Sequence, residues 1–148
     1  MVKSKRVTMR EIWEVWHPQN NVIYKPYIQS VIDYDCSKLT ITLSNNKLEP
    51  QHAVEINFYN GAYSSSLLQG PFIQKLKDKL IQEYGEEFIQ TSSCFKIRNS
   101  LYVEWASSQS YEMVSLPEAQ HFCIFTSDTI IHLIAPYEPH VTFLEEKE

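Results

Sequence analysis

The residues of this chain whose types could support chemistry are five histidines, three cysteines and two closely spaced aspartates. They are His17, His52, His121, His132 and His140, then Cys36, Cys94 and Cys123, then Asp33 and Asp35. A preformed zinc site takes its ligands from short Cys/His spacings that place two donors on one turn. No histidine pair has that spacing and no cysteine stands near enough to complete one, so no metal ligand set and no cofactor are expected. A nucleophilic Cys–His pair meets in space and not in sequence, but nothing local marks Cys94 or Cys123 as an activated thiol. Cys123 lies in the apolar run 121–125 and reads as a small buried hydrophobe. Asp33 and Asp35, two apart on a strand, would face the same way and could hold a cation or act as paired acids. Flanking a turn, they read instead as solvent-facing. Ser64, Ser65 and Ser66 lack the context of a nucleophile elbow. His121 starts a strand-like run and is expected to be a hydrogen-bonded edge residue. Three glycines in the whole chain leave no phosphate-cradling loop.

The elements that would position these residues follow from hydrophobic spacing. Leu39, Ile41 and Leu43 alternate with polar residues, as do Val54, Ile56 and Phe58. The two runs, with 28–34 before them, predict an antiparallel meander with one solvent-facing side. Pro71 after Gly70 opens the clearest helix, 71–84. There Phe72, Leu76, Leu80 and Tyr84 repeat every four residues beside Ile73, and Gly85 stands past the end. Its other face carries Lys75, Lys77 and Lys79 with Asp78 and Glu83, the pattern of a solvated face. Asn99 or Ser100 can cap a short helix near 100–108, with Leu101, Tyr102, Trp105 and Ala106 as its apolar stripe and Trp105 as a core anchor. Thr8-Met9-Arg10-Glu11 fits a capping box ahead of a helix near 9–16, although six residues also allow a strand there. The apolar segment 128–135 reads as a further short helix or as a strand, and 140–144 as a last strand. The whole, 1–148, is read as a single α+β domain: a mainly antiparallel sheet with one principal helix, about 71–84, and shorter helices packed on it.

Composition narrows the class. A chain of 148 residues, 43% hydrophobic and 21% charged, belongs with globular proteins. The formal net charge is −5; four of the thirteen basic residues fall in the first ten positions, which hold no acid, so residues 11–148 set nine bases against eighteen acids, a balance of −9. Such a body repels nucleic acid and suits a basic partner surface. No signal peptide or membrane-spanning run is expected. Three widely spaced cysteines without a C-x-x-C motif suit a reducing compartment, so a cytoplasmic protein is expected. Among three Trp and nine Tyr, the early cluster Trp13, Trp16, Tyr24 and Tyr27 offers either core or interface area.

A larger pattern runs through the chain. Tyr84-Gly85, Phe95-Lys96-Ile97, Asn99-Ser100-x-Tyr102-x-x-Trp105, Gln109-Ser110-Tyr111, His121-Phe122, Thr126 and Glu138-Pro139-x-Val141 follow in order. An early Trp, a Tyr-rich first strand, an L-x-I-x-L strand and a V-x-I-x-F strand precede them. In this order the chain resembles a family of small, uncharacterised cytosolic proteins of Gram-positive bacteria. It departs from that pattern at Ser64, in place of an arginine, and at Ser127, in place of a proline. Some members are encoded beside polymorphic-toxin genes, so the resemblance implies an immunity protein that neutralises a co-encoded toxin.

The expected function is therefore a non-catalytic intracellular protein-binding module whose partner is a basic toxin domain, with no nucleic acid and no membrane involved. Its candidate interface residues are Asp33, Asp35, Glu55, Trp13, Trp16, Tyr24 and Tyr27. The alternative is a small-ligand-binding or regulatory domain with a pocket between sheet and helices, and a third reading is an enzyme with an unrecognised site. A deep pocket with converging polar groups would favour the alternative.

Overall fold

The structure is a computed structural model, and it describes residues 10–16, 29–35, 38–44, 53–59, 64–90, 92–110, 119–126 and 129–144. For 29–35, 53, 64–69 and 143–144 it describes the backbone. Nine strands and three helices occur among these residues: β1 Ile12–Val15, β2 Gln29–Asp35, β3 Lys38–Ser44, β4 Ala53–Tyr59, β5 Ser64–Gln69, α1 Pro71–Tyr84, α2 Glu86–Gln90, β6 Cys94–Arg98, α3 Leu101–Gln109, β7 Gln120–Phe125, β8 Thr129–Ala135 and β9 His140–Leu144. The fold is α+β, with antiparallel sheets dominating its core.

The strands form two antiparallel sheets where the sequence suggests one. The first has the order β1-β6-β7-β8-β5 and the second β2-β3-β4-β9. The alternating residues anticipated in β3 and β4, Leu39, Ile41, Leu43, Val54, Ile56 and Phe58, are all buried, at most 1% exposed. They pack against Phe122, Ile124, Ile131, Leu133 and Ala135 of the first sheet. Phe122 is the hinge of this contact, with its ring edge-on to Phe58 at 5.7 Å and to Trp16 at 5.2 Å. Each such fully buried side chain contributes roughly 1.5–3 kcal/mol of burial free energy.

The first sheet is covered on its other face as well. Trp13, Phe95, Ile97, Cys123, Phe125 and Ile130 point there and meet Ile73 and Leu80 of α1 and Ile89 of α2. A central strand covered on both sides needs apolar residues at successive positions, which erases the period-two signal. That is why 130–135, Ile-Ile-His-Leu-Ile-Ala, carries no readable alternation. Its isoleucines favour the strand β8 over the helix of the alternative reading. β1 likewise replaces the helix expected near 9–16, because Trp13 and Val15 alternate onto the face beneath α1 while β1 pairs with β6 from Ile12↔Arg98 to Val15↔Phe95.

Helix α1 has the expected bounds, with Pro71 in its first turn. Gly70 and Gly85 hold positive φ, 67° and 93°, a region costly for a side chain bearing a Cβ. Gly85 N–H donates to Ile81 O at 2.8 Å. The apolar stripe is the expected one except at its first residue: Ile73 and Leu80 are buried with Leu76 and Tyr84 packed beside them, whereas Phe72 is 60% exposed. Helix α3 departs further from its expected stripe, of which Ala106 and Tyr102 pack inward. Val103, Ala106 and Ser107 are buried, while Leu101 and Trp105 are more than half exposed, so Trp105 is not the core anchor of its helix. Its ring stacks instead on Tyr102, with centroids 5.7 Å apart and planes 14° apart.

Candidate functional site

Strands β7 and β8 form a hairpin at the centre of the first sheet, closed by Thr126 N–H donating to Thr129 O at 2.9 Å. In its register His121 stands opposite Ile134, and His132 opposite Cys123. Since side chains alternate along a strand, His121 and Cys123 share the helix-covered face with Ile130, His132 and Ile134. The two histidines become diagonal neighbours on that face. His121 Nε2 and His132 Nδ1 are 2.8 Å apart.

A serine fixes the direction of this contact. Ser100 is the N-cap of α3, and its Oγ accepts from Val103 N–H at 3.1 Å, as a capping hydroxyl does. The same Oγ lies 2.7 Å from His121 Nδ1. Ser100 is buried, so its hydroxyl proton needs an acceptor, and His121 Nδ1 supplies one. His121 then carries its proton on Nε2 and donates to His132 Nδ1. His132 in turn carries its proton on Nε2. The opposite set of tautomers would leave the serine proton without either of these partners. Burial drives the His121 pKa down to about 3, helped by His132, and burial also lowers that of His132. Both rings are therefore neutral at pH 7.

Tyr102 of α3 packs edge-on to both rings, with centroids 5.2 Å from His121 and 6.0 Å from His132. Between Tyr102 and α1 the covering layer is incomplete. A cavity of about 610 Å³ opens there, floored by Trp13, Ile97 and the two histidines. Its wall on the α1 side is Phe72, Lys75, Leu76 and Lys79, three or four residues apart and hence on one helix face. Glu11 stands at its edge, with Oε2 accepting from Leu101 N–H at 2.8 Å at the start of α3. The volume is that of a small-molecule site, and mostly apolar walls with a few fixed polar groups are what such sites share.

The residues singled out from sequence fall elsewhere, with one exception. Trp13 and Trp16 are 7% and 4% exposed, so neither offers an interface; Trp13 floors the cavity, and Trp16 lies between the sheets with its Nε1–H donating to Glu138 at 2.9 Å. Asp33 and Asp35 occupy β2 positions opposite Thr40 and Lys38. Glu55 is half-buried and accepts from Asn57 Nδ2 at 2.9 Å. Tyr24 and Tyr27 lie outside the described residues. His121 is hydrogen-bonded but central, not at an edge. Sequence reasoning missed the pair itself, and with it Lys75 and Lys79. The available signal was the polar sequence Thr-Ser-Asp between two apolar runs: read as the link of a hairpin, it brings His121 and His132 together.

Among the described residues, no group of three or more His, Cys, Asp or Glu side chains could hold a metal ion, and no helix is long and apolar enough to cross a membrane. No protein-family model, curated protein or solved structure matches the chain.

Proposed function

We propose that this protein binds a small organic ligand in the cavity between α1, α3 and the helix-covered face of the first sheet. The observation that carries this is the 610 Å³ cavity with a preorganised histidine pair in its floor. Burying a hydrogen-bonded His–His–Ser chain costs desolvation that apolar residues of equal volume would avoid, and the cost is understandable where a fixed donor is needed. The nucleophiles nearby are poorly placed for catalysis. Ser100 is committed to the cap and to His121, and burial raises the thiols of Cys94 and Cys123 away from reactivity. Binding is thus the better reading of the site than covalent chemistry. A fragment screen by thermal shift tests it, using wild type and Leu76→Trp, which fills the cavity from its α1 wall. Fragments that raise the wild-type melting temperature and leave the folded Leu76→Trp protein unmoved support the site. Fragments that stabilise both equally, or none at all, refute it.

A second reading keeps the protein-binding role, in its sharpest form immunity against a co-encoded toxin in the cytoplasm. It is favoured by the exposed apolar residues Phe72, Leu101 and Trp105, and by the −9 balance of residues 11–148. Large exposed aromatics of this kind are typical interface anchors. Co-expression with the toxin domain of a neighbouring gene decides it: growth should be rescued by wild type and not by Phe72→Ser/Trp105→Ser, and absence of rescue by wild type removes the reading for that pair.

A further inference from the structure

Apart from the Glu11 carboxylate and the Tyr102 hydroxyl, the polar groups that line the cavity are nitrogens of lysine, histidine and tryptophan side chains. Lys75 and Lys79 stand one turn apart on α1 and are exposed at its mouth. Among the described residues neither forms an ion pair, since Glu83 pairs with Arg10 and Asp78 accepts from Gln74. His132 contributes an Nε2–H, because the chain from Ser100 through His121 occupies its Nδ1. Glu11 brings the one carboxylate among these lining residues, and it is already engaged by Leu101 N–H, where the unpaired amides of a helix start favour negative charge. A chain of net charge −5 thus gathers two ammonium groups and a fixed neutral donor around one apolar cavity. Such a lining suits a ligand that only accepts hydrogen bonds and carries negative charge at one end.

We propose that the cavity takes an apolar organic acid. Its ring or chain lies over Trp13, Leu76 and Ile97, its anionic group sits at the mouth against Lys75 and Lys79, and an acceptor atom meets the Nε2–H of His132. This rests on the ligand-binding reading above and adds the class of ligand to it. The relay makes the histidine selective. A ligand offering a donor to His132 finds a donor there, and reversing the chain would strip the Ser100 proton of its acceptor, so donors are rejected by the cost of an unpaired buried group.

Two probes with the same phenylnaphthylamine body separate the charge from the cavity: neutral N-phenyl-1-naphthylamine and anionic 8-anilino-1-naphthalenesulfonate. Fluorescence titration of the folded wild type should show the anionic probe binding at least about tenfold more tightly, the worth of two partly exposed ion pairs. Added salt should weaken the anionic probe and spare the neutral one. In Lys75→Gln/Lys79→Gln the preference should vanish with neutral binding unchanged. Equal affinities in wild type, or a preference that survives the double substitution, would overturn the organic-acid assignment while leaving the cavity a ligand site. Failure of both probes to bind, or equal binding to Leu76→Trp, would overturn the ligand-binding reading itself.

Discussion

His121 Nε2 lies 2.8 Å from His132 Nδ1, between adjacent strands at the centre of a sheet, and the Ser100 hydroxyl on its other nitrogen makes His121 the donor. A proton added at His132 Nδ1 would break the contact. One added to His121 would set a charge among apolar neighbours beneath two helices. Acid should therefore act on this fold through the pair before it acts on the carboxylates.

The sign follows from the direction of the shifts. A histidine whose folded pKa is lowered contributes stability that is complete above the unfolded value of 6.5 and is lost as pH falls below it. For His121, at about 3 in the fold, the loss between pH 7 and pH 5 is about 2 kcal/mol. Glu138, lowered by Lys96 and Trp16, contributes stability that is complete above its ordinary 4.5 and is lost only below it, so it leaves this window clear. Urea denaturation at the two pH values measures the effect. Equal stability at pH 7 and pH 5 would mean that the pair is not buried neutral.

The tryptophans of β1 and α3 should respond oppositely to truncation. Trp13, 7% exposed and in contact with Phe95 and Phe125, should cost about 3–5 kcal/mol on change to alanine. Trp105, 54% exposed with Tyr102 as its stacking partner, should cost below about 1 kcal/mol. Chemical denaturation of both variants checks this, and a large loss at Trp105 would return it to the core.

Cys94 and Cys123 are free, fully buried and on opposite faces of the first sheet. Neither should react with a thiol reagent in the native protein, and both should react at once on unfolding. Fast labelling of either in the folded state would contradict their burial.

What could be read in the sequence divides along the two sheets. The faces of β3 and β4 were legible because Leu39-x-Ile41-x-Leu43 and Val54-x-Ile56-x-Phe58 alternate cleanly. Helix α1 and the Ser100 cap were legible from Pro71, Gly85 and a hydroxyl ahead of an apolar turn. In the first sheet β7 was legible as the strand-like run 121–125, but β1, β5 and β8 were not, for three physical reasons. β8 is apolar on both faces and shows no period. β5, Ser-Ser-Ser-Leu-Leu-Gln, is an edge strand of poor strand formers. β1 is four residues long, too short for any periodicity to decide. Phe72 of α1 and Leu101 and Trp105 of α3 were misplaced because they are apolar yet exposed, and hydrophobicity alone places them inside. The site depends on the β7–β8 pairing, so a segment 128–135 left open between helix and strand concealed the histidine pair.

Side-chain nitrogen NMR of the histidines tests the central claim most directly. Long-range proton–nitrogen spectra of folded wild type at pH 7 should show His121 and His132 neutral, each with its proton on Nε2 and each Nδ1 accepting. Saturation with 8-anilino-1-naphthalenesulfonate should shift the His132 Nε2–H resonance while His121 Nδ1, shielded behind Ser100, stays near its place. A His132 signal that does not move at saturation, or that carries its proton on Nδ1, would contradict the account.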